Sequence, residues 1–352
     1  MTTEELKRYN RHIILPEIGL EGQEKLKRAK VLVIGAGGLG CPALQYLVAA
    51  GVGNIGIVDD DKVDESNLQR QILYTTADIG KPKALVAAEK LYSQNPYCQF
   101  KDHQLRLTTE NALEIISNYD IVVDGSDNFP TRYLVNDACV MLNKPLVFGS
   151  VFKFEGQVAV FNYKGSATYR CLYSQPPSSD EVPNCSEIGV LGVLPGTVGL
   201  LQATEVIKII TGIGEVLSNK MLRFDALNMT FETFSFSVNP KNKEIAAFAD
   251  YEQFCGVAIK EISAEQLKEK LRLHEEIQII DVREPEEYAV KNIGATLIPL
   301  ATLDDNLDKI KPNVPIIVHC QGGGRSKRAA QLLMDKGFRN VVSLKGGMRE
   351  YN

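Results

Sequence analysis

No two cysteines of this chain stand close enough to make a Cys-x-x-Cys pair. The seven are scattered singly at positions 41, 98, 139, 171, 185, 255 and 320. An odd count without close pairs excludes the disulfide framework of a small secreted protein and predicts a reducing, cytoplasmic setting. Long apolar runs are also missing. No uninterrupted one reaches the roughly 18 residues of a membrane span, so no membrane association is expected. The start, Met1-Thr2-Thr3-Glu4-Glu5-Leu6-Lys7-Arg8, has acids and no apolar stretch, unlike a secretory signal. Positive charge is not in excess: 39 Lys and Arg against 44 Asp and Glu give −5, which argues against nucleic acid as a general partner. Internal repeats and low-complexity tracts are absent as well. What remains is a 352-residue chain, 44% hydrophobic and 24% charged, which reads as soluble, globular and too long for one core.

The apolar patterning divides it. Lys30–Ile34 is a β-branched run that stops at Gly35; Cys41–Ala50 reads as a helix and Asn54–Asp59 as a second strand, a βαβ unit. Asp120–Asp124 and Lys144–Gly149 read as further buried parallel strands. From Gly156 the runs Gln157–Tyr163, Met221–Phe224 and Phe231–Phe236 alternate, which predicts antiparallel pairing. A Pro/Ser-rich loop, 174–184, lies between them, and Val198–Thr211 reads as a helix. A polar stretch at Asn239–Lys243 and the segment 249–258 mark a boundary. An α/β pattern then restarts: helix Ala264–Leu273, strand Ile277–Val282, strand Pro315–Val318, helix Ser326–Lys336, strand Asn340–Leu344. The expected division is a domain over 1–250, a linker over 251–259 and a smaller α/β domain over 260–352.

Gly35-Ala36-Gly37-Gly38-Leu39-Gly40 is a G-x-G-x-x-G run between strand and helix. Its glycines let a phosphate chain approach backbone N–H groups at a helix N-terminus. Asp59, at the end of the second strand, is placed to hold ribose hydroxyls. This much fits an NAD(P) or FAD enzyme as well as an ATP enzyme. The segment Asp59 to Gln71, with Asn67 and Arg70, and then Lys83, favours ATP. Cationic and amide groups near phosphates serve nucleotidyl transfer, where charge develops on phosphate oxygens, and hydride transfer has little use for them. Asp124-Gly125-Ser126-Asp127-Asn128 ends a third strand, where a carboxylate can hold Mg²⁺ facing the phosphates.

Residues 1–250 resemble the E1-like adenylyltransferases of ubiquitin-like sulfur carriers, the molybdopterin-synthase and thiamine-pathway enzymes. The resemblance rests on Arg8-Tyr9-Asn10-Arg11-His12, Gly35–Gly40, Ser66–Gln71, Lys83, Asp124–Asn128, Glu155-Gly156-Gln157 and Cys185–Val190. It implies a Rossmann-like domain with a mixed sheet that adenylates a carrier ending in Gly-Gly. Gly35, Gly37, Gly38 and Gly40 would then approach the ATP phosphates and Asp59 the ribose. Asn67, Arg70 and Lys83 would stabilise phosphate charge, Asp127 would hold Mg²⁺, and Arg11 would reach the ATP of a partner subunit in a homodimer. The plain alternatives are a surface ion pair for Arg70 and a helix N-cap for Asp127. The resemblance places a thioester or acyl-disulfide step at Cys185. Many relatives bind structural zinc on two Cys-x-x-Cys pairs, but here each keeps only its second cysteine, in Thr168–Cys171 and Glu252–Cys255. A tetrahedral site needs four N or S ligands, so no zinc is expected, with Cys171 and Cys255 left as neighbouring thiols.

Residues 260–352 resemble a rhodanese domain, through Ile280–Tyr288, Ile293-Gly294-Ala295, the loop Cys320–Arg325 and Leu344–Met348. The six-residue loop is of sulfurtransferase length; phosphatase-like relatives usually have seven. Cys320 ends a buried strand at a glycine-rich turn before a helix, where N–H groups and the helix end favour thiolate. Arg325 can stabilise a persulfide on Cys320 or hold the loop through a carboxylate, for which Asp281 and Glu284 are candidates. The resulting expectation is adenylation of a carrier by Mg-ATP, then sulfur transfer from a persulfide that a donor loads onto Cys320. The alternative is an NAD(P)-dependent oxidoreductase fused to a rhodanese domain.

Overall fold

The computed structural model describes residues 1–176, 189–255, 259–338 and 340–351, with 252 and 253 by backbone alone. The chain forms two compact units, Met1–Gly256 and Val257–Asn352.

The first unit is built on an eight-stranded sheet: β1 (Lys30–Ile34), β2 (Asn54–Val58), β3 (Gln99–His103), β4 (Ile121–Asp124), β5 (Leu146–Phe152), β6 (Glu155–Phe161), β7 (Lys220–Asp225) and β8 (Thr230–Ser235), in the order β3-β2-β1-β4-β5-β6-β7-β8. The pairs from β3 to β5 are parallel and those from β5 to β8 antiparallel. Val31, Leu32, Val33 and Ile34 are all buried, because helices cover both faces of a parallel sheet. The chain steps outward from β1 to β2 and β3, then returns to the other side of β1 as β4. That reversal opens a crevice beyond the carboxyl ends of β1 and β4, where α/β folds bind ligands. Leu44, Leu47 and Val48 of the helix Gly40–Ala50 pack into the main core with Val33, Ile57 and Val123.

The helix Val193–Thr211 is long and apolar enough to cross a membrane by length and composition alone, though Glu205 and Lys208 interrupt it. Here Leu194, Val198 and Val206 are buried against β5, β6 and the helix Gly40–Ala50. Alternation in β8 does not bury one face. Every residue of Thr230–Ser235 is exposed on this edge strand, where Phe231 stacks on Phe224, centroids 4.7 Å apart, and Glu232 lies 3.5 Å from Arg223 Nη1.

The stretch expected as linker begins with structure. Tyr251–Phe254 is a short helix on the first unit. The Tyr251 hydroxyl donates to Asp137 Oδ2 at 2.7 Å, and Phe254 stands edge-on to Tyr133 with centroids 5.0 Å apart. Arg170 lies 4.9 Å from each of those two rings and makes two 2.7 Å bonds to Asp137. Residues three apart share one helix face, so Tyr251 and Phe254 dock together.

The second unit carries a five-stranded parallel sheet: β9 (Glu261–Ile262), β10 (Gln278–Asp281), β11 (Thr296–Leu297), β12 (Ile316–His319) and β13 (Val341–Leu344), in the order β11-β10-β12-β13-β9. β12 is central and wholly buried, so it delivers Cys320 from the middle of the sheet. The two-residue strands β9 and β11 are too short to show a period in sequence.

Candidate active sites

The first site lies where β1 and β4 end. Gly35 has φ +87°, and a Cβ there would stand 2.7 Å from the Gly125 carbonyl oxygen. A Cβ on Gly40 would stand 1.9 Å from the Gly35 carbonyl oxygen. Glycine at both positions lets the loop fold on itself beside the β4 end, and the Gly125 N–H donates to the Ile34 carbonyl at 2.8 Å. Gly37 and Gly38 are half-buried: a Cβ on Gly37 would meet Gln71 Nε2 at 3.6 Å, and one on Gly38 would meet Pro195 at 3.2 Å and Arg70 Cγ at 3.5 Å.

Asp59 is drawn to this loop. It accepts from the Ala36 N–H at 2.7 Å and the Asp61 N–H at 2.9 Å. Burial raises its carboxyl above the ordinary range, against the pull of Lys83 and of those two N–H groups. An ionised carboxylate has about four acceptor positions, so two stay available to a ribose. Lys83 is 4% exposed and its Nζ lies 2.9 Å from Asp61 Oδ2. Asn67 donates to Ser66 Oγ at 3.2 Å and Arg70 to the Ser66 carbonyl at 3.2 Å. Among the described residues no ion pair holds Arg70. Asp127 is exposed two residues past Gly125. The N-cap alternative fails: Asn128 caps the helix Phe129–Met141, accepting from the Thr131 N–H at 3.0 Å. Among the described residues, the Asp127 oxygens meet only a 3.4 Å contact from Asn128. A single open carboxylate fits Mg²⁺, which takes one or two carboxylates with water and phosphate. Among the described residues no cluster of three or more carboxylate, thiol or imidazole side chains could hold a metal alone.

The glycine loop, Asp59, Arg70 and Lys83 thus meet around one crevice, with Asp127 on its β4 side. Arg11, exposed on the short helix Asn10–Ile13, has no described contact with them. Cys185 lies outside the described residues. One cation here escaped sequence reading. Arg132 donates to the Ser126 carbonyl at 3.2 Å and Ser150 Oγ at 3.3 Å, and lies over Phe129 and Phe148. Its signal was spacing: it stands five residues after Asp127 on the helix that Asn128 caps.

The second site is the Cys320 loop. Cys320 is 1% exposed, and its Sγ accepts from the Gly323 N–H at 3.2 Å and the Ser326 N–H at 3.3 Å. Burial pushes the thiol up, but the Ser326 hydroxyl and the N–H groups of Ser326, Gly322 and Gly323 outweigh it and hold it below its ordinary value. Gly323, at φ +89°, turns the chain so that these donors converge. The contrast is with Cys41 and Cys98, which burial pushes up to about 12 and about 11. At Cys171, half-buried, burial also raises the thiol, but Thr168 and the Asn239 N–H bring it below the ordinary value. Cys255 is buried and pushed up to about 11, against the pull of Arg170.

The carboxylate that holds Arg325 is neither Asp281 nor Glu284. It is Glu287, whose two oxygens accept from Arg325 Nη1 and Nη2 at 2.6 and 2.7 Å. Arg325 holds the Glu287 carboxyl down at about 2. Asp281 is taken instead by Arg283, Nη2 to Oδ2 at 2.6 Å, with both side chains buried. Glu284 lies at the N-cap of the helix Pro285–Val290, where its turn presents Glu287 to Arg325. Arg283 also donates to Gln321 Oε1 at 3.3 Å, beside the nucleophile. Two guanidinium–carboxylate clamps therefore hold the two ends of the loop.

A phosphate cradle at a switch point and a low-lying thiol in a six-residue loop define a nucleotidyl- and sulfur-transferring enzyme. The chain belongs to the ThiF family, whose model matches residues 9–247, and it continues into a rhodanese-like domain matched over 263–352. It is similar to the "probable adenylyltransferase/sulfurtransferase MoeZ" of Mycobacterium tuberculosis, 44% identical over 99% of this chain and 93% of that protein. The "sulfur carrier protein adenylyltransferase" of Thermus thermophilus is 54% identical over 73% of this chain and 98% of its own length. Among solved structures, E. coli MccB with ATP has a TM-score of 0.56 at 25% identity, covering 62% of this chain and 67% of that one. The oxidoreductase alternative finds no support in these relatives.

Proposed function

We propose that the first unit adenylates the C-terminal glycine of a small ubiquitin-like sulfur carrier ending in Gly-Gly, and that the second converts it to a thiocarboxylate. The carrier's carboxylate attacks the α-phosphorus of ATP, pyrophosphate leaves, and an acyl-adenylate forms. Gly37 and Gly38 let the phosphates approach the loop, Asp59 accepts from the ribose, and Asn67, Arg70 and Lys83 face the charge that grows on phosphate oxygens. Asp127 would hold Mg²⁺, which supplies charge neutralisation at the phosphates. Arg11 would complete the site of a second subunit in a homodimer.

Cys320 receives an outer sulfur from a persulfide donor. That sulfur attacks the acyl carbon and AMP leaves, giving an acyl disulfide on Cys320. A second thiolate, for which Cys185 is our candidate, then attacks Cys320 Sγ. The carrier departs as a thiocarboxylate, a Cys185–Cys320 disulfide remains, and a dithiol reductant restores both thiols. Splitting the transfer over covalent sulfur intermediates lowers each barrier.

The observation that carries this reading is the Cys320 Sγ, held by two loop N–H groups in a chain whose other unit presents an ATP-type cradle. The test is mass spectrometry of a Gly-Gly carrier after incubation with the protein, Mg-ATP and thiosulfate. Replacement of a terminal oxygen by sulfur is expected. Asp127→Ala should abolish it together with ATP–pyrophosphate exchange, and leave thiosulfate-dependent sulfur loading of Cys320 intact. Unchanged thiocarboxylation in Asp127→Ala refutes the assignment of the first unit.

A further inference from the structure

The Cys320 loop is backed by a pair of buried hydroxyls whose proton order the packing dictates. Ser343, on β13, is fully buried, and so is Ser326 on the first turn of the helix Gly324–Asp335. Their Oγ atoms are 2.9 Å apart. Ser326 Oγ also lies 3.0 Å from the Gly323 carbonyl oxygen and 3.6 Å from Cys320 Sγ. The Ser343 side chain has no other hydrogen-bond partner among the described residues.

A serine hydroxyl has one proton. If Ser326 donated to Ser343, the Ser343 proton would be a buried donor with no acceptor, at a cost of about 1–3 kcal/mol. The satisfied arrangement runs the other way. Ser343 donates to Ser326, and the Ser326 proton is left for the Gly323 carbonyl or for the sulfur. The remaining lone pair of Ser326 can accept the Cys320 S–H when the sulfur is a thiol. When the sulfur is an anion, as thiolate or persulfide, the Ser326 proton turns to it. Ser343 keeps donating in both states, and such a chained bond makes Ser326 the stronger donor.

We infer that Ser343 is a positioning residue for sulfur transfer: its buried hydroxyl commits the Ser326 proton to the Cys320 loop and so favours the anionic sulfur. The inference rests on the sulfur-carrying role proposed for Cys320, but its test does not require turnover. The experiment is the pH profile of Cys320 alkylation by iodoacetamide in the full chain, read on the Cys320 peptide by mass spectrometry. Ser343→Thr and Ser343→Val have the same shape and differ by the hydroxyl. Val should move the midpoint up by about 0.3–1 pH unit, the worth of one hydrogen bond, and Thr should stay near the parent value. Ser343→Ala, which adds no bulk to the site, should shift as Val does. Coincident Thr and Val midpoints, or an Ala variant with the parent profile, would overturn the inference. A parent protein with this profile but no sulfur loading from thiosulfate would instead refute the proposed function.

Discussion

Replacing Arg283 with Met tests how the second unit tolerates charge in its interior. Arg283 is 2% exposed and Asp281 is not exposed at all, and the guanidinium reaches both carboxylate oxygens, with Nε at 3.0 Å from each and Nη2 at 2.6 Å from Oδ2. His319 Nε2, 3.7 Å from Asp281 Oδ2, is too far for a hydrogen bond, and burial, with the Arg283 charge, lowers the pKa of its imidazole against the pull of Asp281. Arg283→Met therefore strands a buried carboxylate, a loss of about 3–5 kcal/mol. At about 4–8 °C per kcal/mol for a domain of this size, the melting transition of the second unit should fall by at least roughly 12 °C. The double variant Asp281→Leu with Arg283→Met removes both charges and should recover most of that loss, because a buried pair is worth far less than the penalty for breaking it. The assay is scanning calorimetry of the full chain, with the first unit's transition as internal control. A loss under about 1 kcal/mol in the single variant, or a double variant as unstable as the single, would refute the reasoning.

Two further outcomes follow from the geometry. The rate of Cys320 alkylation should rise with pH through a midpoint below the free-cysteine value of about 8.5, because the loop donors lower the thiol's pKa. As pH falls through that midpoint the thiolate, and the reactivity with it, should be lost; a midpoint at or above 8.5 contradicts the loop's role. Gly40→Ala should cost the first unit more than about 2 kcal/mol in denaturant unfolding, since its Cβ would overlap the Gly35 carbonyl at 1.9 Å. Gly37→Ala, whose Cβ would meet only the end of Gln71 at 3.6 Å, should retain its stability.

What could be read from the sequence was whatever a local pattern writes. The run Lys30–Ile34, its glycine turn and Asp59 announced β1, the cradle and the end of β2, and the structure joins Asp59 to Ala36 across 23 positions by one hydrogen bond. Cys320 was legible for the same reason, since a buried strand, a glycine turn and a helix occupy one short segment. The partner of Arg325 was not. Asp281, Glu284 and Glu287 are equally acidic on paper, and only the turn at Glu284 and the prior claim of Arg283 on Asp281 decide for Glu287. The helix Tyr251–Phe254 was hidden because its helical state depends on Asp137, Tyr133 and Arg170, more than 80 positions away. Strand β3, Gln-Phe-Lys-Asp-His, carries too few apolar residues to signal itself. Arg132 went unread despite its spacing from Asp127, because only the fold turns it back to Ser126 and Ser150.

The donors that converge on Cys320 Sγ include main-chain N–H groups, and this bears on how the loop can change over generations. A main-chain donor is supplied by every residue except proline, so no side-chain substitution deletes it. Gly322 and Gly324 have φ values that other residues share, and a Cβ on either would meet nothing closer than 3.7 Å. Gly323 alone, at φ +89°, is bound to its residue type by backbone shape. The chemistry is thus stored mostly in the path of the chain. Descendants are free to rewrite two of the three glycines, and with them what approaches the sulfur, while its main-chain donors are inherited unaltered and only the Ser326 hydroxyl depends on residue type.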